Sequence, residues 1–398
     1  MYDAGGVERH LTEAAAKGKF GSGAELSRVE SRKKRSDVNH HFCSDLKYLE
    51  VGLKDANSRY VVVKRQPALK VQRDLQNSPV QFQNEVYFYD EVLPVLNVGG
   101  VLDEVFPRFY CGEGSGDPDK DLVVLEDLSE AGFEGRRPGG VYLDLVHCEL
   151  VLRKLALFHA QSFLARHRDS ATFERVASQL QEAYLTEENS AFFESLVVRS
   201  MRRGVDPLIN QGVNVDRLSA FLERFRDMTG FFVELITPET NTGVVCHGDF
   251  CANNMLFKYS EDGRPVDLRF LDLQRAKYSS PVIDLSFFLC LHLDPDTRSS
   301  HWDELIDVYY ESIAKLVPQG VLPSREDFLG EFSRKVFYGY MFISFFLPLM
   351  LDDKPMDIVA LSKMPETIRF ENMTKAGGQR CTELLTRMVS HLLKKNYI

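Results

Sequence analysis

The sequence predicts an α+β chain in two parts, a small strand-rich N-terminal part and a larger, mainly helical C-terminal part. Three observations carry this. A chain of 398 residues is too long for one small core, so two subdomains are expected. Residues 42–65 are rich in β-branched and aromatic side chains around a polar turn, the pattern of a hairpin. After Leu128 the apolar residues recur at helical spacing through most of the chain. The expected boundaries are an extension over residues 1–36, a strand-rich lobe over 37–128 and a helical lobe over 129–398.

Residues 1–36 hold few large apolar side chains and end in the basic run Arg32-Lys33-Lys34-Arg35. They are expected to form a flexible, solvated extension, and the run also has the composition of a nuclear-localisation patch. Leu46 to Leu53 and Tyr60 to Lys64 then read as two strands joined by the turn Asp55-Ala56-Asn57-Ser58. Phe82, Val86, Tyr89 and Leu93 mark a helix over 79–95. Phe106 to Cys111 and Leu122 to Leu125 are further strands, and helices follow over 146–167, 216–236, 301–316, 325–350 and 379–395. No internal repeat is present.

Hydrophobic residues make up 44% of the chain and charged residues 27%, the composition of an ordinary globular protein. The net charge of −10 argues against nucleic acid as the main partner, because phosphate binding needs a basic surface. The seven cysteines include no C-x-x-C pair and suit a reducing compartment. The longest apolar run, Phe337 to Leu351, falls short of the ~20 residues that span a bilayer and reads as a buried helix. With no apolar leader core near the start, the expected setting is cytoplasmic, without a membrane span.

The chemistry concentrates in V-V-C-H-G-D-F-C-A-N-N-M-L-F, which places His247, Asp249 and Asn254 in the pattern H-x-D-x-x-x-x-N. A second apolar strand, Arg269-Phe270-Leu271, ends in Asp272. Gly263 and Pro265 separate it from Met255 to Lys258, so a hairpin is expected to bring Asn254 and Asp272 together. This is the spacing of a protein-kinase catalytic loop, in which an Asp accepts a hydroxyl proton and an Asn and a later Asp hold Mg²⁺. Asp249 is thus the candidate base, and Asn254 and Asp272 are oxygen donors suited to a hard cation. His247 is expected to brace the loop. Asp284, at the start of a helix in Pro281-Val282-Ile283-Asp284-Leu285, is expected to brace it too. His159, between apolar helix neighbours, reads as a core histidine, and Cys246 and Cys251 lack metal-ligand spacing.

Lys64 ends the Val61-Val62-Val63 strand, where a phosphate-contacting lysine belongs. Glu85 lies next to the apolar face of the following helix and is its expected partner, with Glu91 off that face. Leu122 to Leu128 reads as a strand entering a hinge, where the Glu126 carbonyl and the Leu128 N–H would meet adenine. A glycine-rich phosphate loop is missing from the turn Ser36 to Ser44. Glycines occur instead in Gly18-Lys19-Phe20-Gly21-Ser22-Gly23, well upstream.

HGD in place of HRD, L-D-L-Q in place of D-F-G, and the absence of A-P-E set the chain apart from protein kinases. It resembles the aminoglycoside-phosphotransferase and choline-kinase group, and within it is similar to the ecdysteroid kinase-like family. The resembling stretches are V-V-V-K-R-Q-P, F-Q-N-E-V-Y-F-Y-D-E-V-L-P, L-V-V-L-E-D-L, H-G-D-F-C-A-N-N-M-L-F, F-L-D-L-Q and P-V-I-D-L-S-F-F-L, with Val308-Tyr309-Tyr310 and Phe345-Phe346-Leu347-Pro348 further on. Gln274 looks more like this family than like choline kinases, which tend to carry an acidic residue there. The resemblance implies a two-lobed protein-kinase-like fold and Mg·ATP-dependent phosphorylation of a hydroxyl on a small lipophilic molecule, steroid-like or xenobiotic. By it, Lys64, Glu85, Asp249, Asn254 and Asp272 take the ATP and Mg²⁺ roles. A choline- or aminoglycoside-type kinase and a non-catalytic pseudokinase are the alternatives. No protein partner can be inferred.

Overall fold

The structure is a computed structural model that describes residues 4–33, 44–54, 56–137, 139–183, 185, 190–239, 241–351 and 364–398. The chain forms two compact units. The first comprises Met1–Arg137, Ala171–Ala183 and Asn253–Ala276, and the second Pro138–Ser170, Tyr184–Ala252 and Lys277–Ile398.

The first unit is built on an antiparallel sheet of β1 (Leu26–Arg32), β2 (Asp45–Leu53), β3 (Ala56–Arg65), β4 (Phe109–Glu113) and β5 (Leu122–Glu126), in the order β1-β2-β3-β5-β4. Alternation along the strands gives the sheet two different faces. Leu49, Val51, Val61, Val63, Leu122 and Val124 pack into a core on one face. Lys64 lies on the other, with Val62 and Tyr60 of its strand. The apolar face is covered by α1 (Ala4–Ala16), whose Val7, Leu11, Ala14 and Ala15 are buried in that core together with Phe20.

Residues 4–32 are therefore folded, in place of the flexible extension that the composition of residues 1–36 suggests. Its buried stripe follows helical spacing but relies partly on alanine, which does not register as a hydrophobic cluster. Helix α1 ends in a glycine cap. Gly18 has φ 73°, and the N–H groups of Gly18 and Lys19 bond the carbonyls of Ala15 (2.9 Å) and Ala14 (3.0 Å). The glycines of residues 18–23 thus turn the chain from α1 into β1 and do not lie between two strands. Arg32, first of the basic run, is the last residue of β1, and its guanidinium bonds Glu130 (2.7 Å). The glycine-poor stretch follows β1 in sequence, and residues 34–43, which include Lys34 and Arg35 of the basic run, fall outside the described residues.

The helical pattern over 79–95 is realised in pieces after the short α2 (Lys70–Gln76): α3 (Ser78–Tyr87), a π-turn Phe88–Val92 and α4 (Leu93–Leu96). The wide turn re-phases the buried face, so Phe88, Val92 and Leu96 are buried and the expected Leu93 is only half-buried. The short helix α6 (Ser170–Ala177) and a second sheet complete this unit, the sheet formed by β6 (Phe133–Glu134), β8 (Met255–Tyr259) and β9 (Pro265–Phe270) in the order β6-β8-β9.

The second unit is helical apart from β7 (Val244–Cys246) and β10 (Lys277–Ser279), an antiparallel pair. Its helices are α5 (Leu145–Arg168), α7 (Ser190–Asn210), α8 (Val215–Glu223), α9 (Met228–Ile236), α10 (Val282–His292), α11 (Pro295–Ala314), α12 (Arg325–Lys335), α13 (Phe337–Leu351), α14 (Glu366–Lys375) and α15 (Gly378–Lys394). Every residue of α10 is buried. It packs on α13, and α11 packs on α5. Gly339 of α13 stands at the crossing with α10, where its N–H bonds the Ser286 hydroxyl (3.1 Å). Among the described residues no helix is long and apolar enough to cross a membrane.

Candidate functional site

Lys64 is second to last in β3 and points from the sheet into a polar cluster. Its ammonium lies 2.6 Å from Glu85 on α3 and 3.1 Å from the Gln274 amide oxygen, and it also pairs with Asp272. Lys64 is 5% exposed, and Glu85 and Gln274 are fully buried. Burial by itself pushes the ammonium down, but the Asp272 and Glu85 carboxylates outweigh it and hold the pKa above the ordinary lysine value. Lys64 is therefore a fixed cation near neutral pH.

The hairpin β8–β9 places the rest of this cluster. Met255 faces Phe270 in register, and the Leu271 N–H bonds the Asn254 carbonyl (2.9 Å). Asn254 and Asp272 thus flank the open end of one hairpin, although 18 residues separate them in sequence. Asp272 has φ 70°, a left-handed conformation that costs a non-glycine residue energy and re-aims its side chain. Gln274 also donates to Asp272 (3.3 Å).

Sequence reasoning missed Asn84. Its amide donates to the Gln181 carbonyl (2.8 Å) and accepts the Gln181 N–H (2.9 Å), and it reaches the Gln274 carbonyl at 3.5 Å. It ties the residue beside Glu85 to the segment after Asp272. No local signal marks this, because Gln181 lies about a hundred residues away in an irregular stretch.

The segment expected to meet adenine follows β5. The N–H of Glu126 bonds the Arg108 carbonyl (2.8 Å), and that of Asp127 bonds the Tyr60 carbonyl (2.9 Å). Leu128 opens a 3₁₀ turn capped by Asp127, which accepts from the Ser129 N–H and hydroxyl (3.1 and 2.6 Å). Nearby, the Arg32 guanidinium lies 4.1 Å over the Tyr60 ring.

The H-G-D loop belongs to the helical unit, and the chain passes to the sheet unit between Ala252 and Asn253. The loop follows β7 directly. Gly248 turns it with φ 79°, and both oxygens of buried Asp284 accept loop amides, from His247 (2.6 Å) and Gly248 (2.9 Å). The Asp249 N–H bonds His247 Nδ1 (3.3 Å). Further on, His292 was not anticipated. Its Nε2 accepts the Ala252 N–H (2.9 Å) while its Nδ1 donates to the Val141 carbonyl (2.6 Å). The whole turn is thus hydrogen-bonded to α10, leaving the half-buried Asp249 at its tip.

Behind Asp284 stands His159, whose Nε2 is 3.2 Å from the carboxylate. Cys246 completes a buried trio whose ligand-type atoms lie within 4.8 Å of one another. Burial pushes the Cys246 thiol well above its ordinary pKa, and the sulfur donates to the Ser280 carbonyl (3.3 Å). With Asp284 bonded to the loop, these donors are engaged within the fold.

A strand lysine answered by a helix glutamate, over a hairpin that carries an asparagine and an aspartate, is the arrangement of the protein-kinase-like phosphotransferases. The α+β fold, a small antiparallel-sheet lobe and a larger helical lobe, is of that class. The chain belongs to the ecdysteroid kinase-like family, whose profile matches residues 39–319. No curated protein matches the sequence. Among solved structures it is similar to a choline kinase from Cryptosporidium parvum Iowa II, with 12% identity over 93% of this chain and 91% of that one and a TM-score of 0.45. It is similar too to macrolide 2'-phosphotransferase MphH from Brachybacterium faecium, with 12% identity over 93% and 98% and a TM-score of 0.38. A third is an amicoumacin kinase in complex with AMP-PNP, Ca²⁺ and amicoumacin, with 11% identity over 94% of each chain and a TM-score of 0.43.

Proposed function

We propose that the protein is an ATP-dependent small-molecule kinase that phosphorylates a hydroxyl of a lipophilic, steroid-like or xenobiotic alcohol. The observation that supports this most is the Lys64–Glu85–Asp272–Gln274 cluster. It keeps a buried ammonium charged beside a carboxylate that is still 17% exposed. Lys64 would neutralise phosphate charge, and Glu85 and Gln274 would hold it in register. The Glu126 carbonyl and Leu128 N–H would receive adenine.

Asn254 and Asp272 fit a divalent cation. They are oxygen donors brought together by one hairpin, one of them an ionisable carboxylate. Bound Mg²⁺ would supply charge neutralisation for the transferred phosphoryl group. Asp249 would accept the proton of the acceptor hydroxyl as its oxygen bonds the γ-phosphorus and the bond to ADP breaks. His247 and Asp284 would keep the loop amides, and hence Asp249, in place. A cytoplasmic setting agrees with these substrates.

The test is phosphate transfer from ATP, in Mg²⁺, to a panel of steroid alcohols followed by mass gain. The parent should turn over at least one alcohol, and Asp249→Ala should lower its kcat by roughly 10²- to 10⁴-fold, the usual range for a lost general base. Equal transfer by parent and variant would remove Asp249 from the chemistry.

A further inference from the structure

We propose that Tyr309 is a positioning residue for the H-G-D loop, acting through the orientation of the His159 ring. The inference rests on the proposal that this loop is catalytic. Tyr309 on α11 and His159 on α5 are both fully buried. The tyrosine hydroxyl lies 2.7 Å from His159 Nδ1, and His159 Nε2 lies 3.2 Å from Asp284 Oδ2. That same oxygen accepts the His247 N–H, and its twin accepts the Gly248 N–H. A chain of hydrogen bonds thus runs from α11 through α5 and α10 to the loop.

The chemistry of the partners fixes its direction. Both Asp284 oxygens act as acceptors toward the loop amides, so Nε2 carries the ring proton to be held there. In the neutral ring Nδ1 is then a lone pair and needs a donor, which the Tyr309 hydroxyl provides. Burial, with Cys246, Asp284 and Glu331 nearby, pushes the Tyr309 phenol well above its ordinary pKa, so it stays protonated. Without that donor the Nδ1 lone pair is buried with no partner, so the ring is held only at Nε2 and turns away from Asp284, loosening that carboxylate's grip on the loop amides. The groups around this chain are Asp284 of α10, Cys246 of β7, Glu331 of α12 and, through Cys246, Lys277 of β10. The adjacent Tyr310 has a separate task, donating to the Pro323 carbonyl (2.8 Å).

The experiment uses the full chain with ¹⁵N-labelled histidine, in the parent, Tyr309→Phe, His159→Gln and the double variant, each checked for an unchanged melting temperature within a few degrees. In the parent the ring signals should report Nε2–H with Nδ1 as a hydrogen-bond acceptor. Tyr309→Phe should shift and broaden the His159 ring ¹⁵N signals, speed hydrogen exchange at the His247 and Gly248 amides, and lower kcat roughly 3- to 10-fold, the scale of one hydrogen bond. The KM for ATP should not change. In His159→Gln an amide donor replaces Nε2–H without needing Tyr309, so adding Tyr309→Phe should change nothing further. Unaltered His159 ring signals and unaltered loop protection in Tyr309→Phe overturn the proposal. So does an equal effect in the His159→Gln background, which would assign Tyr309 to packing alone. Loss of loop protection in a protein with no phosphotransfer would retain the positioning role and reject the kinase reading.

Discussion

Replacing Lys64 by methionine keeps most of the aliphatic stem and removes the charge that two carboxylates share. At 2.6 Å from Glu85 the gross attraction is about 6 kcal/mol at an effective dielectric of 20. Desolvation offsets much of this, yet removing one partner of a buried pair typically costs about 3–5 kcal/mol, because the other charge is left bare. A second limit applies here. Rather than keep a bare carboxylate, Glu85 can bind a proton, which at pH 7 costs about 1.4 kcal/mol for each of the ~2.7 units above an ordinary glutamate pKa. The penalty is therefore bounded near 4 kcal/mol at pH 7 and falls to about 1 kcal/mol at pH 5. The sign follows from the folded pKa. Burial already raises Glu85, with Lys64 opposing, and without the lysine the raised value stands unopposed. A raised folded pKa gives stability that is present below the unfolded value and lost as pH rises through the folded one. Urea denaturation of parent and Lys64→Met from pH 5 to 7.5 measures this. Adding Glu85→Gln should restore most of the loss at pH 7. A penalty that is flat across this range, or a double variant no more stable than Lys64→Met, would refute the account of the cluster.

Two further outcomes test the fold. Leu11→Ala in α1 should destabilise the sheet unit by about 2–5 kcal/mol, the cost of a core truncation, because Leu11 is fully buried against the sheet; a denaturation midpoint unmoved from the parent's would return residues 4–16 to the solvent. Gly339→Ala should cost about 1–3 kcal/mol by overpacking, since a Cβ there collides with the Ser286 backbone carbonyl of α10; calorimetry showing no loss would mean that α10 and α13 can separate freely.

The parts of the fold that were legible are those in which one short segment carries the whole signal. The hairpin β2–β3 announces itself by a valine run and a polar turn, and the pairing of β8 with β9 by Gly263 and Pro265 between two apolar strands. The helix face bearing Phe82 placed Glu85 beside Lys64, because helical spacing survives until the π-turn at Phe88. Beyond that turn the same extrapolation selected Leu93 where Val92 is buried, since one wide turn shifts every later residue around the axis. Helix α1 was missed for the opposite reason. Its stripe is real, but alanines fill part of it, and only the sheet beneath shows that small side chains are what the contact needs.

The support of the site was the least legible, and the reason is physical. Asn84 with Gln181, His292 with Ala252 and Tyr309 with His159 are each a polar side chain whose partner comes from a distant segment. In sequence each is an unremarkable residue within a helix, because hydropathy periodicity registers which residues are buried but not which polar ones among them find partners. A buried histidine or tyrosine in a helix is favourable only when such a partner exists. The loop's motif can thus be read from His247 to Asn254, while its support comes from side chains on α5, α10 and α11. Substitutions there should leave the motif intact and still change its geometry, and this is why the His159 ring is a sharper probe of the loop than any residue within it.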